Sequence, residues 1–287
     1  MKKSVSFILI ILLLLSTLNF MSCSNRRNDS TIYDSYICDM ANDGIITEME
    51  KEWWNGILIK NSLAEKEKEI TVQGVTYDFS YDFSEVCGFS SHYVDIYRSK
   101  DTTIQISVLP SSNEVVGFHR YDLFDDEYLL KQDLYETSES ALPMAKEIAS
   151  RYIDINDYRV ESQTSDSYSK KIKEHIFDFV RYVDGYPTCE GVYIAITSKG
   201  DFRTLAIHDI GLFENKQISV DKDVLQKSID KKLNKIYTED LGYNYTYKIV
   251  KQTLAYSPEN DLVVVSQIEV SVKDKYNTGV LLATVIE

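Results

Sequence analysis

Tyr77-Asp78-Phe79-Ser80-Tyr81-Asp82-Phe83-Ser84 carries an aromatic ring at every second position, with a polar residue between each pair. A backbone repeat of two sets all four rings on one face of an extended chain, so the stretch reads as a half-buried β-strand. Composition points the same way. The 287 residues hold 21 Tyr and 11 Phe, side chains that suit pleated, half-covered surfaces. A hydrophobic share of 44% supports a packed core, and only 11 Gly and 4 Pro argue against long low-complexity tracts.

Downstream the strand signals repeat. Tyr93 to Tyr97 and Ile104 to Val108 alternate on either side of Ser99-Lys100-Asp101, which reads as a hairpin turn, and Val115 to Tyr121 follows. Upstream, Thr47 to Glu67 has Met49, Trp53, Trp54, Ile57, Leu58 and Leu63 among Glu and Lys, an amphipathic helical pattern interrupted by Gly56. A second cycle opens at Ser138-Glu139-Ser140, helix-start residues, with Pro143 placed for a first turn. Leu142, Ala145, Ile148, Ala149 and Tyr152 then share one helical face. Strands are expected at Tyr158 to Gln163, Ile172 to Val183, Gly191 to Thr197 and Phe202 to His208, with turns at Asp184-Gly185-Tyr186-Pro187 and Ser198-Lys199-Gly200-Asp201. In a third cycle Asp221 caps a helix striped by Leu225, Ile229, Leu233 and Ile236 and ending near Leu241-Gly242. Strands Tyr245 to Ala255, Leu262 to Lys273 and Thr278 to Ile286 close the chain. The expected fold class is α+β: tandem modules, each of one helix packed on a 3-4-stranded antiparallel sheet. The expected boundaries are 41–135, 136–216 and 217–287.

The N-terminus is an export signal. Met1-Lys2-Lys3 is a basic opening, and Val5 to Leu15 is an apolar run too short for a comfortable membrane span of ~20 residues. Residues 1–22 therefore read as a signal peptide, and 23–40 as a polar tether starting with Cys23. Ser22-Cys23 resembles the lipobox of bacterial lipoproteins, in which the cysteine is diacylated and becomes the new N-terminus; Phe20 and Met21 depart from that pattern. The resemblance implies palmitate-type acylation at Cys23 and a lipid anchor to the cell membrane on its extracytoplasmic face. Two acyl chains would hold firmly where one does not. Simple secretion and an uncleaved signal anchor are the alternatives.

A net charge of −14 would be repelled by phosphate backbones and anionic lipid heads, so no nucleic-acid partner is expected. Cys38, Cys87 and Cys189 remain beyond Cys23, an odd number that leaves a single disulfide or three thiols open. With no CxxC pair, neither a redox motif nor a zinc ribbon is expected. His92, His119, His175 and His208 are isolated, and no HExxH spacing exists. His119 and His208 both end strands and would meet if the cycles packed symmetrically; two separate surface histidines are the simpler expectation. Asp122 with Asp125-Asp126-Glu127 lacks the spacing of a Ca²⁺ loop and reads as a solvated turn. Neither the GxSxG elbow nor a phosphate-cradling glycine loop occurs. No cofactor, no metal and no catalytic residue is therefore expected.

The middle of the chain resembles the PepSY and YcdB-like group of domains. Ala145-Lys146-Glu147-Ile148-Ala149-Ser150-Arg151-Tyr152 is similar to its opening helix. Phe177-Asp178-Phe179-Val180-Arg181-Tyr182-Val183-Asp184-Gly185-Tyr186-Pro187 looks like its strand, Asp-Gly and Pro pattern, which Val192 to Ile196 and Gly200 continue. The resemblance implies a non-catalytic domain that contacts or inhibits another protein in the envelope, with a peptidase as one partner class. A small hydrolase of envelope polymer and a purely structural surface protein are the alternatives.

Overall fold

The computed structural model describes residues 58–59, 64–72, 75–86, 93–123, 126–166, 172–257, 261–273 and 276–286. Cys23, the tether, Trp53, Trp54, Cys38, Cys87 and His92 lie outside them. The chain divides into two compact units, one of Ile59–Glu85 with His92–Gln217 and one of Met1–Leu58, Val86–Ser91 and Ile218–Glu287. A two-residue strand, β1 (Leu58–Ile59), falls at their boundary.

The first unit overturns the tandem-module expectation. Its strands are β2 (Glu67–Val72), β3 (Val75–Val86), β4 (Tyr93–Ser99), β5 (Ile104–Val108), β6 (Val115–Arg120), β7 (Tyr158–Asp166), β8 (Lys173–Val183), β9 (Tyr186–Thr197) and β10 (Phe202–His208). They lie in the order β2-β3-β4-β5-β6-β10-β9-β8-β7. The decisive pairing is β6 with β10, antiparallel, with His119 opposite Thr204 and Phe118 opposite Leu205. Strands expected in two modules thus join one sheet. The two cycles fuse because each would otherwise leave an unpaired strand edge, and closing β6 on β10 satisfies both rows of backbone groups. The helix expected over Thr47 to Glu67 is also corrected where it is described: Leu58–Ile59 and Glu67 onward are extended.

Two short helices serve this sheet. The four-residue α1 (Asp126–Leu129) precedes α2 (Ser138–Ala149). Thr137 caps α2, its hydroxyl accepting from the Ser140 N–H at 3.3 Å while Ser140 answers as a capping box. Pro143 sits in the second turn rather than the first, so the helix gives up one backbone bond there. Ala141, Ala145 and Ala149, one per turn, are fully buried on the sheet-facing side. Their small size lets the helix lie close on Phe177, Phe179, Val192, Ile194 and Ile196, which are completely enclosed. The β8–β9 hairpin turns through Asp184 (φ 50°) and Gly185 (φ 80°), the twin left-handed geometry that an Asp-Gly pair is suited to.

In the second unit, α3 (Lys222–Leu233) is capped by the Asp221 carboxylate, which accepts from the Asp223 and Val224 N–H groups at 2.9 and 3.1 Å. Leu225, Ile229 and Leu233 are its buried stripe. The helix widens into a π-turn over Asn234–Asp240 and ends at Gly242, φ 65°. Strands β11 (Tyr245–Tyr256), β12 (Leu262–Val272) and β13 (Tyr276–Val285) pair antiparallel. Val263, Val264 and Val265 are buried in succession, so both faces of β12 are covered, as a continuous apolar run requires.

Candidate functional site

The β9–β10 turn is tied to the segment after α1, which carries Leu130 and Leu134. Its Gly200 adopts φ 90°, which L-residues avoid, and a Cβ there would come within 2.7 Å of Leu134 Cδ1. The absence of a side chain lets the segment after α1 fold over the turn. Backbone N–H groups of Leu134 and Tyr135 both donate to the Ser198 carbonyl, at 2.7 and 2.9 Å. The Ser198 hydroxyl donates to Asp133 at 2.6 Å, and Lys199 Nζ lies 3.0 Å from the same carboxylate. Those two bonds hold the Asp133 carboxyl below its ordinary pKa. Beneath, Tyr128 shares a 2.5 Å hydroxyl contact with Thr197 and packs with Leu123 and Ile172. Lys131 sits over the Tyr128 ring at 4.7 Å and 4.0 Å from Asp201.

This frame fixes the backbone yet leaves Leu130 at 87% and Leu134 at 69% exposure. A loop anchored at five points does not need exposed leucines for its own stability. Two exposed leucines four positions apart, with Lys131 and Asp133 between them, make this segment a candidate protein contact. Nothing in the spacing singled these leucines out; the available signal was two large apolar residues in an otherwise polar segment with no helical or strand repeat.

The sheet face carrying the sequence-predicted histidine is polar and internally paired. Arg203 is the extra residue of a bulge, since Phe202 faces Ile196 while Thr204 faces Ala195. Its guanidinium reaches the buried Glu174 carboxylate at 2.6 Å. His119 Nδ1 bonds the Thr204 hydroxyl at 2.8 Å, and its ring lies 4.5 Å from that of Tyr121. Burial, reinforced by the Arg203 charge, pushes the His119 pKa down to about 3, so the ring is neutral near pH 7. Tyr121 donates to Gln105 at 3.0 Å, and Arg98 pairs with Asp82 at 2.5 Å. His208 does not join His119. It lies four residues along β10 from Thr204, roughly 13 Å at the usual strand rise.

The remaining candidates are dispersed. His175 is fully buried and bonds Thr164 at 3.0 Å and the Tyr135 carbonyl at 3.1 Å, a core role. Asp122 is held by Arg120 through two bonds of 2.9 and 2.7 Å, and Glu127 is exposed; Asp125 and the Asp126 side chain lie outside the described residues. Cys189 is a buried thiol whose pKa burial raises well above the ordinary range. Beside it, Glu190 is completely enclosed and accepts from Tyr158, from Arg181 Nε at 2.8 Å and from the Phe213 N–H at 2.8 Å. Among the described residues no cluster of three or more His, Cys, Asp or Glu is arranged to hold a metal ion.

No protein-family model matches the chain. No curated protein matches it either. Among solved structures, the C-terminal domain of YpeB from Bacillus megaterium is similar over 78% of this chain and 92% of that one, at 12% identity and a TM-score of 0.32. A likeness at that level assigns neither fold nor function to this chain.

Proposed function

We propose that this chain is a non-catalytic lipoprotein of the cell envelope, anchored through Cys23, whose PepSY-like body binds or inhibits a protein partner. The observation that carries the binding half is the leucine pair. Leu130 and Leu134 are held out to solvent by a loop tied down through Ser198, Asp133 and Lys199. Presenting apolar groups on a pre-ordered frame lowers the entropy cost of association. The reading without catalysis is supported by the pairing on the polar face, where Arg203 is engaged by Glu174 and His119 by Thr204. A secreted or envelope peptidase is the partner class implied by the PepSY resemblance.

The test is capture from an envelope fraction by wild-type chain and by a Leu130→Asp/Leu134→Asp variant, followed by activity assays on any peptidase retained. Both leucines are exposed, so the variant should keep its thermal midpoint while losing the partner. Equal capture by the two would sink the leucine patch as the binding site. Turnover of an envelope polymer by the purified chain would sink the non-catalytic reading.

A further inference from the structure

Strand β7 lies at an edge of the first unit's sheet. Among the described residues β7 pairs with β8 alone, in unbroken register from Tyr158 opposite Arg181 to Asp166 opposite Lys173. Its nine residues contain no Pro and no bulge, two of the devices that protect an edge, though they do carry the charges Arg159, Glu161 and Asp166. Tyr158 and Val160 turn toward the core, and Thr164 toward His175. On the opposite face stand Arg159 and Glu161, both exposed, with Glu161 directly opposite Asp178 of β8. Each is positioned by one ring: Arg159 lies over Tyr182 at 4.2 Å, and the Tyr182 hydroxyl donates to Glu161 at 2.7 Å. A cation and an anion are thus fixed two positions apart on an open strand edge.

Two such edges related by a twofold axis perpendicular to the sheet run antiparallel, and residues directly opposite share a face. With Val160 on the axis, Arg159 stands opposite the second copy's Glu161, and Glu161 opposite its Arg159. Sliding the register by two positions one way sets Arg159 against itself; sliding it the other way sets Glu161 against itself. Opposite charges facing across strands stabilise the pair, and like charges oppose it. This register satisfies both charges at once over Tyr158–Ser162 of each copy; Gln163–Asp166 face the second copy's 3-10 turn and do not extend the ladder. We propose that the chain forms a twofold dimer in which β7 pairs with β7 of a second copy, centred on Val160. This interface uses neither Leu130 nor Leu134, so it stands independently of the partner-binding reading.

Sedimentation velocity on the full chain in detergent, across a concentration series, tests the proposal. The wild type should dimerise. Arg159→Glu and Glu161→Arg should each weaken the dimer about tenfold or more, because each creates facing like charges. The Arg159→Glu/Glu161→Arg double variant should regain wild-type dimerisation, and an equimolar mixture of the two single variants should form a mixed dimer. Thermal midpoints of all variants guard against misfolding, and both side chains are solvent-exposed. A wild type that stays monomeric at every concentration overturns the proposal. So do single variants that dimerise as well as the wild type, or a double variant that fails to recover.

Discussion

Arg181 Nε donates to Glu190 Oε1 across 2.8 Å, and the carboxylate it reaches is completely shut off from solvent. Burial alone would raise the Glu190 pKa, yet the bonds from Tyr158, the Phe213 N–H and Arg181 outweigh it and leave the value lowered. Arg181 also lies over the Tyr158 ring at 4.8 Å, so two side chains and one loop share a single anion.

Removing either ion should therefore be costly. Arg181→Ala leaves a buried carboxylate short of its cation and should destabilise the fold by about 3–5 kcal/mol in urea unfolding. A loss under ~1 kcal/mol would show that Tyr158 and the Phe213 N–H suffice. Because the folded pKa lies below the unfolded value, Glu190 contributes stability in full above an unfolded pKa of 4.5 and loses it as pH falls through the lower folded value. Glu190→Gln should flatten that acid limb; an unchanged limb would assign it to other carboxylates.

His119 and Glu85 should bend the pH profile in opposite directions. The unfolded chain protonates His119 as pH falls through 6.5, while the folded ring resists until about 3. Stability from this group is thus present above pH 6.5 and declines below it. Burial raises the Glu85 carboxyl to about 7, so the folded state takes up its proton first and gains stability as pH drops from 7 toward 4.5. Unfolding midpoints between pH 8 and 5 should fall less steeply for His119→Gln than for wild type, and more steeply for Glu85→Gln. Slopes that move in the same direction for both variants would contradict this assignment.

Gly191 should be the least replaceable glycine of the sheet. A Cβ there would lie 2.5 Å from the Phe179 carbonyl oxygen, which is backbone and cannot turn away. At Gly117 the obstacles are Ser107 Oγ at 2.7 Å, which can rotate, and Ser107 Cβ at 2.8 Å, a less close approach than the one at Gly191. Gly191→Ala should cost about 1–3 kcal/mol, as overpacking does, and more than Gly117→Ala in the same thermal assay. The reverse order would mean that β8 and β9 separate easily.

The anchor is tested by fractionation. Cys23→Ser should move the protein from membranes to the soluble fraction, because loss of two acyl chains removes the firm attachment. A Cys23→Ser chain that stays membrane-bound would point to the uncleaved apolar segment instead.

Local rules made much of this chain readable. The period-two run Tyr77 to Ser84 falls inside β3, Phe202 to His208 coincides with β10, and Asp184-Gly185 forms the tight turn that its residue types suit. The stripe Leu225, Ile229, Leu233 is the buried face of α3. Each depends on torsions and side-chain periods within about ten residues, which the sequence states directly. The proposed export signal and anchor at Cys23 rest on equally local patterns.

What tertiary structure alone decided is which edges meet. The pairing of Phe118 with Leu205 links residues 87 positions apart, and no periodicity encodes such a partner. For that reason the expected separate modules are instead one sheet. The same holds for the candidate sites. Leu134 approaches Gly200, 66 residues later, where a Cβ would come within 2.7 Å of it, and Arg159 and Glu161 share the ring of Tyr182 from the neighbouring strand. Sequence determined most of the strands and helices of this protein. The choice among strand edges rested on satisfying backbone hydrogen bonds across the whole sheet, a condition that exists only once the chain has closed on itself.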